Sequence, residues 1–226
     1  MNIVITDWLF ADLTIEQSII ERAGCKLSAG QCKTEAELIA LVANADAVIT
    51  QFARINANVI AAMNKARAIV RYGIGVDNVD LDAARERGIP VSNIPDYCID
   101  EVADHTLACI LGLTRQVVTH TADLRAGNWR LAVPVPEMKA LRDQTVGVIG
   151  FGRIGREVVR RLLPFKCRVL VHDPIVAPAD IAAAGATTAT LDEIFSTSDI
   201  LTLHCPSTPA TRRIIGPASL ASTTRA

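Results

Sequence analysis

The chain has 226 residues, half of them hydrophobic, and carries 23 Lys and Arg against 24 Asp and Glu, a net charge of −1. This length is enough for two small domains with a sizeable core. The balanced charge excludes the basic surface that binds nucleic acid or acidic membranes. The apolar runs are far shorter than a membrane span, and the first residues lack the basic start of a secretory signal.

The cysteines are spread along the chain without C-x-x-C spacing, and their intervals fit neither a zinc site nor a disulfide framework. They are Cys25, Cys32, Cys98, Cys109, Cys167 and Cys205. We therefore expect reduced thiols in or near a core, no metal site, and a location in the reducing cytoplasm.

Short β-branched runs alternate with helical patterns over most of the chain. The runs are near-continuously apolar, which indicates strands covered on both faces, as in a parallel sheet between helices. The predicted strands are Asn2–Thr6, Ala47–Thr50, Ala68–Arg71, Thr145–Ile149, Arg168–Val171 and Ile200–Leu203. The predicted helices are Thr14–Ala23, Glu35–Ala43, Asn56–Met63 and Leu81–Glu86. The alternation predicts right-handed βαβ units and an α/β fold.

Two details refine this pattern. Thr34 and Glu37 have the spacing of a capping box at the start of the second helix. After Pro95, residues 99–127 form one long helical pattern that ends at Gly127, a residue type suited to a helix C-terminus. The apolar positions of that pattern are Val102, Leu107, Ile110, Leu111, Leu113 and Val117. We place a domain boundary near residue 100, where this helix leads into a second α/β unit.

A glycine-rich stretch follows the predicted strand Thr145–Ile149 and opens a helical pattern. A G-x-G-x-x-G pattern alone is weak evidence, but this β-α-β setting is the one that a dinucleotide fingerprint needs. Gly150 permits the tight turn after the strand, Gly152 permits the approach of a pyrophosphate, and Gly155 permits close helix–strand packing. The helix N-terminus offers free N–H groups to phosphates, and the arginine adds charge. The stretch is Gly150-Phe151-Gly152-Arg153-Ile154-Gly155.

An acidic residue stands where the fingerprint expects one. Asp173 ends the predicted strand "RVLVHD", 18 residues after Gly155. Its carboxylate has the position to accept hydrogen bonds from the adenosine ribose hydroxyls. Because it would repel a 2′-phosphate, the predicted cofactor is NAD rather than NADP.

Four stretches carry a family resemblance: "VRYGIGVDNVDLDAARERGIPVSNIP", "VADHTLACILGLTRQ", "TVGVIGFGRIGREVVRRL", and "HDP" followed by "DILTLHCPSTPATRRII". In them the chain resembles the D-isomer-specific 2-hydroxyacid dehydrogenases, and most closely the D-3-phosphoglycerate dehydrogenase branch. The C-terminal-binding corepressors of that family are similar too. The resemblance implies a flavodoxin-like substrate domain over residues 1–99 and an incomplete, doubly wound Rossmann domain for NAD over residues 100–226.

The same resemblance implies site residues. The backbone N–H groups of Gly73, Ile74 and Gly75 would hold the carboxylate of a 2-hydroxy or 2-keto acid substrate, and Ile74 would also contact the nicotinamide end of NAD. The remaining implied cofactor contacts are residues 150–155, Asp173, Cys205, Pro206 and Thr211. The helix over residues 100–127 resembles the family's dimer helix, which implies a homodimer for the full-length protein.

The chain also departs from the family pattern. Asp104 replaces a longer glutamate, and Lys166 replaces a glycine at a helix end. The arginine, glutamate and histidine that the family uses for catalysis have no matching positions before Ala226, and Arg225 is only a faint echo of the arginine motif. We therefore expect a shortened chain, from a premature stop or a frameshift, without turnover of its own. We also expect an open sheet edge after Leu203 and an unstructured "ASTTRA" tail.

None of the four histidines is a convincing substitute for the missing one. His204, near the predicted cofactor, is the least poor candidate, but general acid–base work needs a placed partner. His105, His120 and His172 are expected to be packed or solvated. Two alternatives to an oxidoreductase stay open: a binding module that senses NAD or recruits a partner, and an inert fragment.

Overall fold

The computed structural model describes residues 1–221 and divides into an N-terminal unit, residues 1–97, and a C-terminal unit that begins at Cys98. Each unit has its own parallel sheet and its own buried apolar core. This confirms the predicted α/β class. Among residues 1–221, no helix combines the length and the apolar character needed to cross a membrane.

The N-terminal unit has five parallel strands in the order β2-β1-β3-β4-β5, the flavodoxin-like order. The strands are β1 (Asn2–Ile5), β2 (Lys26–Ala29), β3 (Ala47–Thr50), β4 (Ile69–Arg71) and β5 (Val91–Asn93). The helices are α1 (Thr14–Arg22), α2 (Glu35–Val42), α3 (Ala57–Ala62) and α4 (Leu81–Glu86). The sequence missed β2 and β5 because these edge strands are short and partly exposed, so they lack a continuous apolar run.

Side-chain caps fix where several helices begin. The predicted capping box is present: Glu37 N donates to Thr34 Oγ1 at 3.3 Å, and Thr34 N donates to Glu37 Oε2 at 3.0 Å. At the starts of α3 and α4 the cap is one-way: the side chains of Asn56 and Asp80 accept from the N–H groups of Val59 and Ala83. Each cap satisfies backbone N–H groups that the first turn leaves open, and so it sets the length of the loop that precedes the helix.

The C-terminal unit has four parallel strands in the order β8-β7-β6-β9. The strands are β6 (Thr145–Ile149), β7 (Arg168–His172), β8 (Thr187–Thr188) and β9 (Ile200–Leu203). The helices are α5 (Ile99–Thr114), α6 (Val117–Arg125), α7 (Arg153–Leu162), α8 (Pro178–Ala183), α9 (Leu191–Thr197) and α10 (Pro217–Ala221). Within the described part of the chain β9 pairs only with β6, so it forms an edge of the sheet. Ala221, the first residue of the predicted tail, closes α10; the rest of the tail and Arg225 lie outside the described residues.

The prediction of one long helix over residues 99–127 is wrong. The helix breaks after Thr114, where Gln116 adopts a left-handed conformation with φ of +54° and α6 starts afresh. The Thr114 hydroxyl donates to the carbonyl oxygens of Ile110 and Leu111, which weakens the helix at that turn. Leu113, near the end of α5, and Val117, at the start of α6, are exposed and do not share the core stripe of Leu107 and Ile110.

Candidate functional site

The C-terminal unit reverses its strand order between β6 and β9, and this is where open α/β sheets bind ligands. The two strands run parallel, and His204 N donates to Ile149 O at 2.7 Å just past their ends. The loop after β6 carries the glycine-rich stretch, and the loop after β9 carries Cys205 and Pro206. The fold therefore brings two separately predicted stretches to one edge of the sheet.

Two glycines of the stretch are required by close backbone contacts. Gly150 has φ of +98°, and a Cβ there would lie 2.5 Å from Cys205 N and 2.7 Å from His204 C. A Cβ on Gly155 would overlap the carbonyl oxygen of Gly150. By contrast, a Cβ on Gly152 would meet no atom within 4 Å. The loop is thus tightly packed on its sheet side and open at Gly152.

The open side faces the start of a ten-residue helix. Its first internal bond runs from Arg156 N to Gly152 O at 3.0 Å. The N–H groups of Gly152, Ile154 and Gly155 have no acceptor among residues 1–221. Together with the positive end of the helix dipole, these donors fit an anionic group such as a diphosphate.

Phe151 contributes differently from the other loop residues. Its side chain is fully buried, with the Arg156 guanidinium 4.4 Å above the ring. Its N–H donates to Asp173 Oδ2 at 2.7 Å. The side chain thus belongs to the core, and the backbone ties the loop to the end of β7.

Asp173 holds three backbone N–H groups at once. Oδ2 accepts from Phe151, and Oδ1 accepts from Ile175 at 2.9 Å and Val176 at 3.1 Å. Partial burial opposes ionisation, but these hydrogen bonds outweigh it and hold the pKa of Asp173 below its ordinary value. A carboxylate has about four acceptor positions, so one is left, on Oδ2, for a ligand hydroxyl.

Only the first part of the loop after β9 contacts the glycine-rich loop after β6. Cys205 lies against Gly150. Thr211 instead closes its own turn: its hydroxyl donates to Pro206 O at 2.6 Å and accepts from Thr208 N at 2.8 Å. Thr211 is a predicted cofactor contact, and its hydroxyl is already engaged within residues 206–211.

In the N-terminal unit the predicted anion-binding loop follows β4. Gly73 N donates to Arg71 O at 2.9 Å, whereas the N–H groups of Ile74 and Gly75 have no acceptor in the described chain. Asn93 Nδ2 donates to Ile74 O at 2.7 Å and fixes that peptide. Two of the three predicted donors are thus open, and one is used internally.

Sequence reasoning missed Asp7, which follows β1 and lies at the strand-order reversal between β1 and β3. Its buried carboxylate accepts from the backbone N–H groups of Gln51, Phe52 and Ala53 at 2.6–3.2 Å. Burial opposes the charge, yet these bonds and the Thr6 hydroxyl keep the pKa of Asp7 below its usual value. A polar residue directly after an apolar strand was the available signal, but its partners lie 44 to 46 residues away.

None of the histidines in residues 1–221 forms an ion pair with a carboxylate. His204 Nε2 lies 2.9 Å from Thr202 Oγ1, and burial lowers the pKa of His204, so the ring is neutral near pH 7. His172 Nδ1 lies 3.1 Å from Ala189 O. No ion pair in that range joins a histidine to a carboxylate, and none of its His, Cys, Asp and Glu side chains cluster as a metal site.

Known proteins share both the sequence and the fold. Residues 107–225 match the family model "D-isomer specific 2-hydroxyacid dehydrogenase, NAD binding domain". The D-3-phosphoglycerate dehydrogenase of Mycobacterium leprae is 39% identical over 189 residues, covering 83% of this chain and 35% of that protein.

Two solved structures are also similar. A protein from Thermus thermophilus aligns with 99% of this chain and 70% of its own, with a TM-score of 0.83 and 32% identity. The D-lactate dehydrogenase of Aquifex aeolicus, complexed with NAD and lactic acid, aligns with 98% of this chain and 66% of its own, with a TM-score of 0.88 and 26% identity.

The chain therefore spans about a third of the length of the curated relative from M. leprae. The family match covers the glycine-rich loop, Asp173 and the loop after β9, the three parts that meet at the β6 and β9 ends. This chain belongs to the D-isomer specific 2-hydroxyacid dehydrogenase family, and residues 107–225 are its NAD-binding domain.

Proposed function

We propose that the chain binds NAD at the β6–β9 edge, with its diphosphate on the open N–H groups at Gly152, Ile154 and Gly155. The observation that carries this proposal is the contrast between a loop packed against backbone at Gly150 and open space at Gly152. Arg153, at the first position of α7, adds positive charge there. The first turn of the helix supplies the rest of the anion-binding field.

The remaining acceptor position of Asp173 is proposed to receive one adenosine ribose hydroxyl. The lowered pKa keeps this carboxylate charged at neutral pH. A 2′-phosphate at that place would meet the negative charge, so we expect NAD to bind more tightly than NADP. Cys205 and Pro206 are proposed to cover the cofactor from the β9 side, and Thr211 to hold their loop in shape.

The proposed activity is oxidation of the CH–OH group of a 2-hydroxy acid, or the reverse reduction of a 2-keto acid. Bound NAD supplies the hydride-transfer chemistry of this reaction. The N–H groups of Ile74 and Gly75 are proposed to bind the substrate carboxylate, and Ile74 to approach the nicotinamide end. The Gly73 N–H can bind the substrate carboxylate only if its hydrogen bond to Arg71 O breaks.

We propose that the acid–base groups of the reaction are not supplied by residues 1–221, because no histidine there forms an ion pair with a carboxylate. The chain on its own is then an NAD-binding module without turnover. A regulatory or corepressor-like role is the second candidate, favoured by the same combination of an open cofactor loop and histidines that form no ion pair with a carboxylate of residues 1–221. The third candidate is an inert fragment, which saturable binding of NAD in the titration below would exclude.

A homodimer is proposed from the apolar surface of α6 and the segment after it. Val118 is 78% exposed, Trp129 is 90% exposed and Leu131 is 55% exposed. These three strongly exposed apolar side chains lie within 14 residues of sequence, and burying them against a second copy would remove them from water. Ultracentrifugation of the wild type and of Trp129→Ser tests the dimer, and monomeric wild-type chain would count against it.

The six free thiols support the further proposal of a reducing cytoplasmic location.

Calorimetric titration of the 226-residue chain tests the cofactor proposal. We expect a saturable one-to-one heat with NAD, and affinity for NADP weaker by about tenfold or more. No saturable heat with NAD would refute the proposal. A parallel assay of NADH oxidation with a 2-keto acid is expected to show no turnover, and detectable turnover would refute the assignment of catalytic groups outside residues 1–221.

A further inference from the structure

Three of the four sheet edges in the described chain carry features that hinder further strand pairing. β8 has only two residues, β5 has three and follows Pro90, and β2 carries the exposed Lys26. Short strands, proline and edge lysines are common ways of preventing one sheet from pairing with another. The fourth edge, β9, is four residues long and contains neither a proline nor a charged residue. A further strand can therefore add at β9.

The side chains of β9 are less buried than those of the neighbouring strand. Ile149, at the end of β6, is 2% exposed, whereas Leu203, at the end of β9, is 42% exposed and the other three residues of β9 are half-buried. Successive side chains of a strand point to opposite faces, and Ile200 and Leu201 pack against different apolar clusters. Both faces of the sheet are therefore apolar at this edge, and a strand with apolar side chains on both faces would extend them.

The backbone of β9 determines what kind of partner fits. An edge strand presents a row of N–H and C=O groups, and an added strand is the structure that pairs with them. A second copy of β9 is such a strand, and it is apolar on both faces. A two-fold axis perpendicular to the sheet makes the two copies antiparallel and keeps each face on its own side. Residues that oppose one another across the contact must then belong to the same face.

One register pairs like with like. When Thr202 lies opposite the partner's Thr202, Leu201 lies opposite the partner's Leu203, and the symmetry makes this leucine pair twice. Opposed side chains on one face of an antiparallel pair are in contact. The register therefore covers the exposed Leu203 of each copy with a leucine.

The neighbouring registers are worse. A contact centred on Leu201 would place Leu203 opposite the partner's Asp199, an apolar side chain against a carboxylate. A contact centred on Leu203 would place Ile200 opposite the partner's Pro206, which has no N–H for the ladder. The contact centred on Thr202 avoids both mismatches.

At the amino end of β9 there is room for the chain that follows the partner's strand. A cavity of about 490 Å³ lies there, lined in part by Ile200, Leu201, Leu113, Val133 and Met138. In an antiparallel pair the loop after the partner's β9 leaves its strand at this end. The apolar lining gives that loop space beside the contact.

We propose that two copies of the chain associate through β9, antiparallel and centred on Thr202, so that their four-stranded sheets form one continuous sheet. β9 contains none of the residues proposed above to bind NAD or substrate, so this inference does not depend on that function. It also uses other residues than the surface around α6. A chain that uses both contacts assembles beyond a dimer, and Trp129→Ser removes the α6 contact while leaving β9 unchanged.

Sedimentation equilibrium of the full 226-residue chain in the Trp129→Ser background tests the β9 contact. We expect a dimer at about 0.1 mM protein, a concentration at which even a micromolar contact is populated. Leu203→Lys puts a charge into the contact twice and is expected to weaken the dimer at least about tenfold. Thr188→Lys is the matched control, because it adds the same charge to β8, at the opposite edge of the same sheet, and should leave the dimer unchanged.

Hydrogen exchange of the wild-type chain is the second measurement, and it needs no variant. The amides of residues 200–204 are expected to exchange more slowly as the protein concentration rises, whereas those of β8 should not change. Circular dichroism melts establish that the variants fold, and if Leu203→Lys does not, hydrogen exchange decides the matter.

Three results would each overturn the proposal. They are a monomeric Trp129→Ser chain, a folded Leu203→Lys variant that associates as strongly as its background, and exchange in β9 that does not depend on concentration. Association of the Trp129→Ser chain without a finite size would overturn it as well, because a two-fold contact closes on itself.

Discussion

Each unit has a glycine-containing loop at the carboxyl ends of its parallel strands, after β4 in one and after β6 in the other, but the two loops are held in place differently. In the C-terminal unit, Gly150 and Gly155 fit against backbone atoms, and the loop runs straight into a ten-residue helix. In the N-terminal unit, the loop after β4 reaches α4 only after an isolated bridge at Val79 and the cap at Asp80. There, side chains do the fastening: Asn93 holds the Ile74 peptide and Arg71 donates to Gln51 O, while Asp7 holds the neighbouring loop after β3, residues 51–53.

This difference has a physical consequence for anion binding. A helix that starts at the loop supplies open N–H groups and a dipole without any charged side chain. The loop after β4 has no such helix, and side-chain hydrogen bonds hold it instead: Asn93 donates to Ile74 O, and Arg71 donates to Gln51 O. Backbone substitutions should therefore damage the C-terminal loop most, and side-chain substitutions the N-terminal one.

The largest expected effect is that of Gly150→Ala. The new Cβ meets Cys205 N and His204 C, and φ of +98° is unfavourable for alanine. Strain and overpacking together should cost about 3 kcal/mol of unfolding free energy in urea denaturation. Gly152→Ala is the matched control, because its Cβ meets nothing within 4 Å; it should change stability by about 0.5 kcal/mol or less while weakening NAD. Equal destabilisation by the two variants would contradict the packing argument.

The N-terminal counterpart is Asp7→Asn. The amide cannot accept all the N–H groups of residues 51–53, so the unit should lose about 2 kcal/mol at pH 7. The lowered pKa means that the charged form stabilises the fold above about pH 4 and that this contribution is lost as the pH falls through the native value. Wild type and variant should therefore converge in acid. Urea unfolding followed by Trp8 fluorescence in a Trp129→Phe background measures this.

The exposed Glu86 provides the control for charge alone. Glu86→Gln removes the same charge from the same unit and should leave the unfolding midpoint almost unchanged. If Asp7→Asn behaves like Glu86→Gln, the fastening of residues 51–53 by side chains is wrong, and so is the contrast between the two loops.

Asp173 is an exception to the rule that the C-terminal loop is held by backbone contacts. Its carboxylate accepts from Phe151 N, so the glycine-rich loop depends on one side chain. Asp173→Asn should weaken NAD about tenfold, through loss of the charged acceptor and of the tie to Phe151, and should reduce the preference for NAD over NADP. Calorimetry with both cofactors measures this. Asp180→Asn, an exposed change on α8, should have no effect on either affinity.

The sequence predicts what depends on neighbouring residues. The central strands, the Thr34–Glu37 capping box and the glycine turn after β6 are all local patterns, and all are present. The fastening of residues 51–53 is not local: Asp7 and the N–H groups that donate to it are separated by a whole βαβ unit. Likewise, nothing in the apolar spacing of residues 99–127 indicates that Gln116 would turn left-handed. Contacts between loops at a sheet edge are set by strand order, which a single sequence does not show.

The smallest expected effect lies at Lys166, at the end of the turn after α7. The predicted strain is present there, since Lys166 has φ of +62° where glycine would be unstrained. Lys166→Gly should therefore raise the free energy of unfolding by about 1 kcal/mol. Lys166→Ala removes the side chain but keeps a Cβ, so it should give no such gain. Because the strain is in the backbone and remote from the loop, NAD affinity should stay the same; a change in affinity would mean that this turn and the glycine loop are coupled through α7.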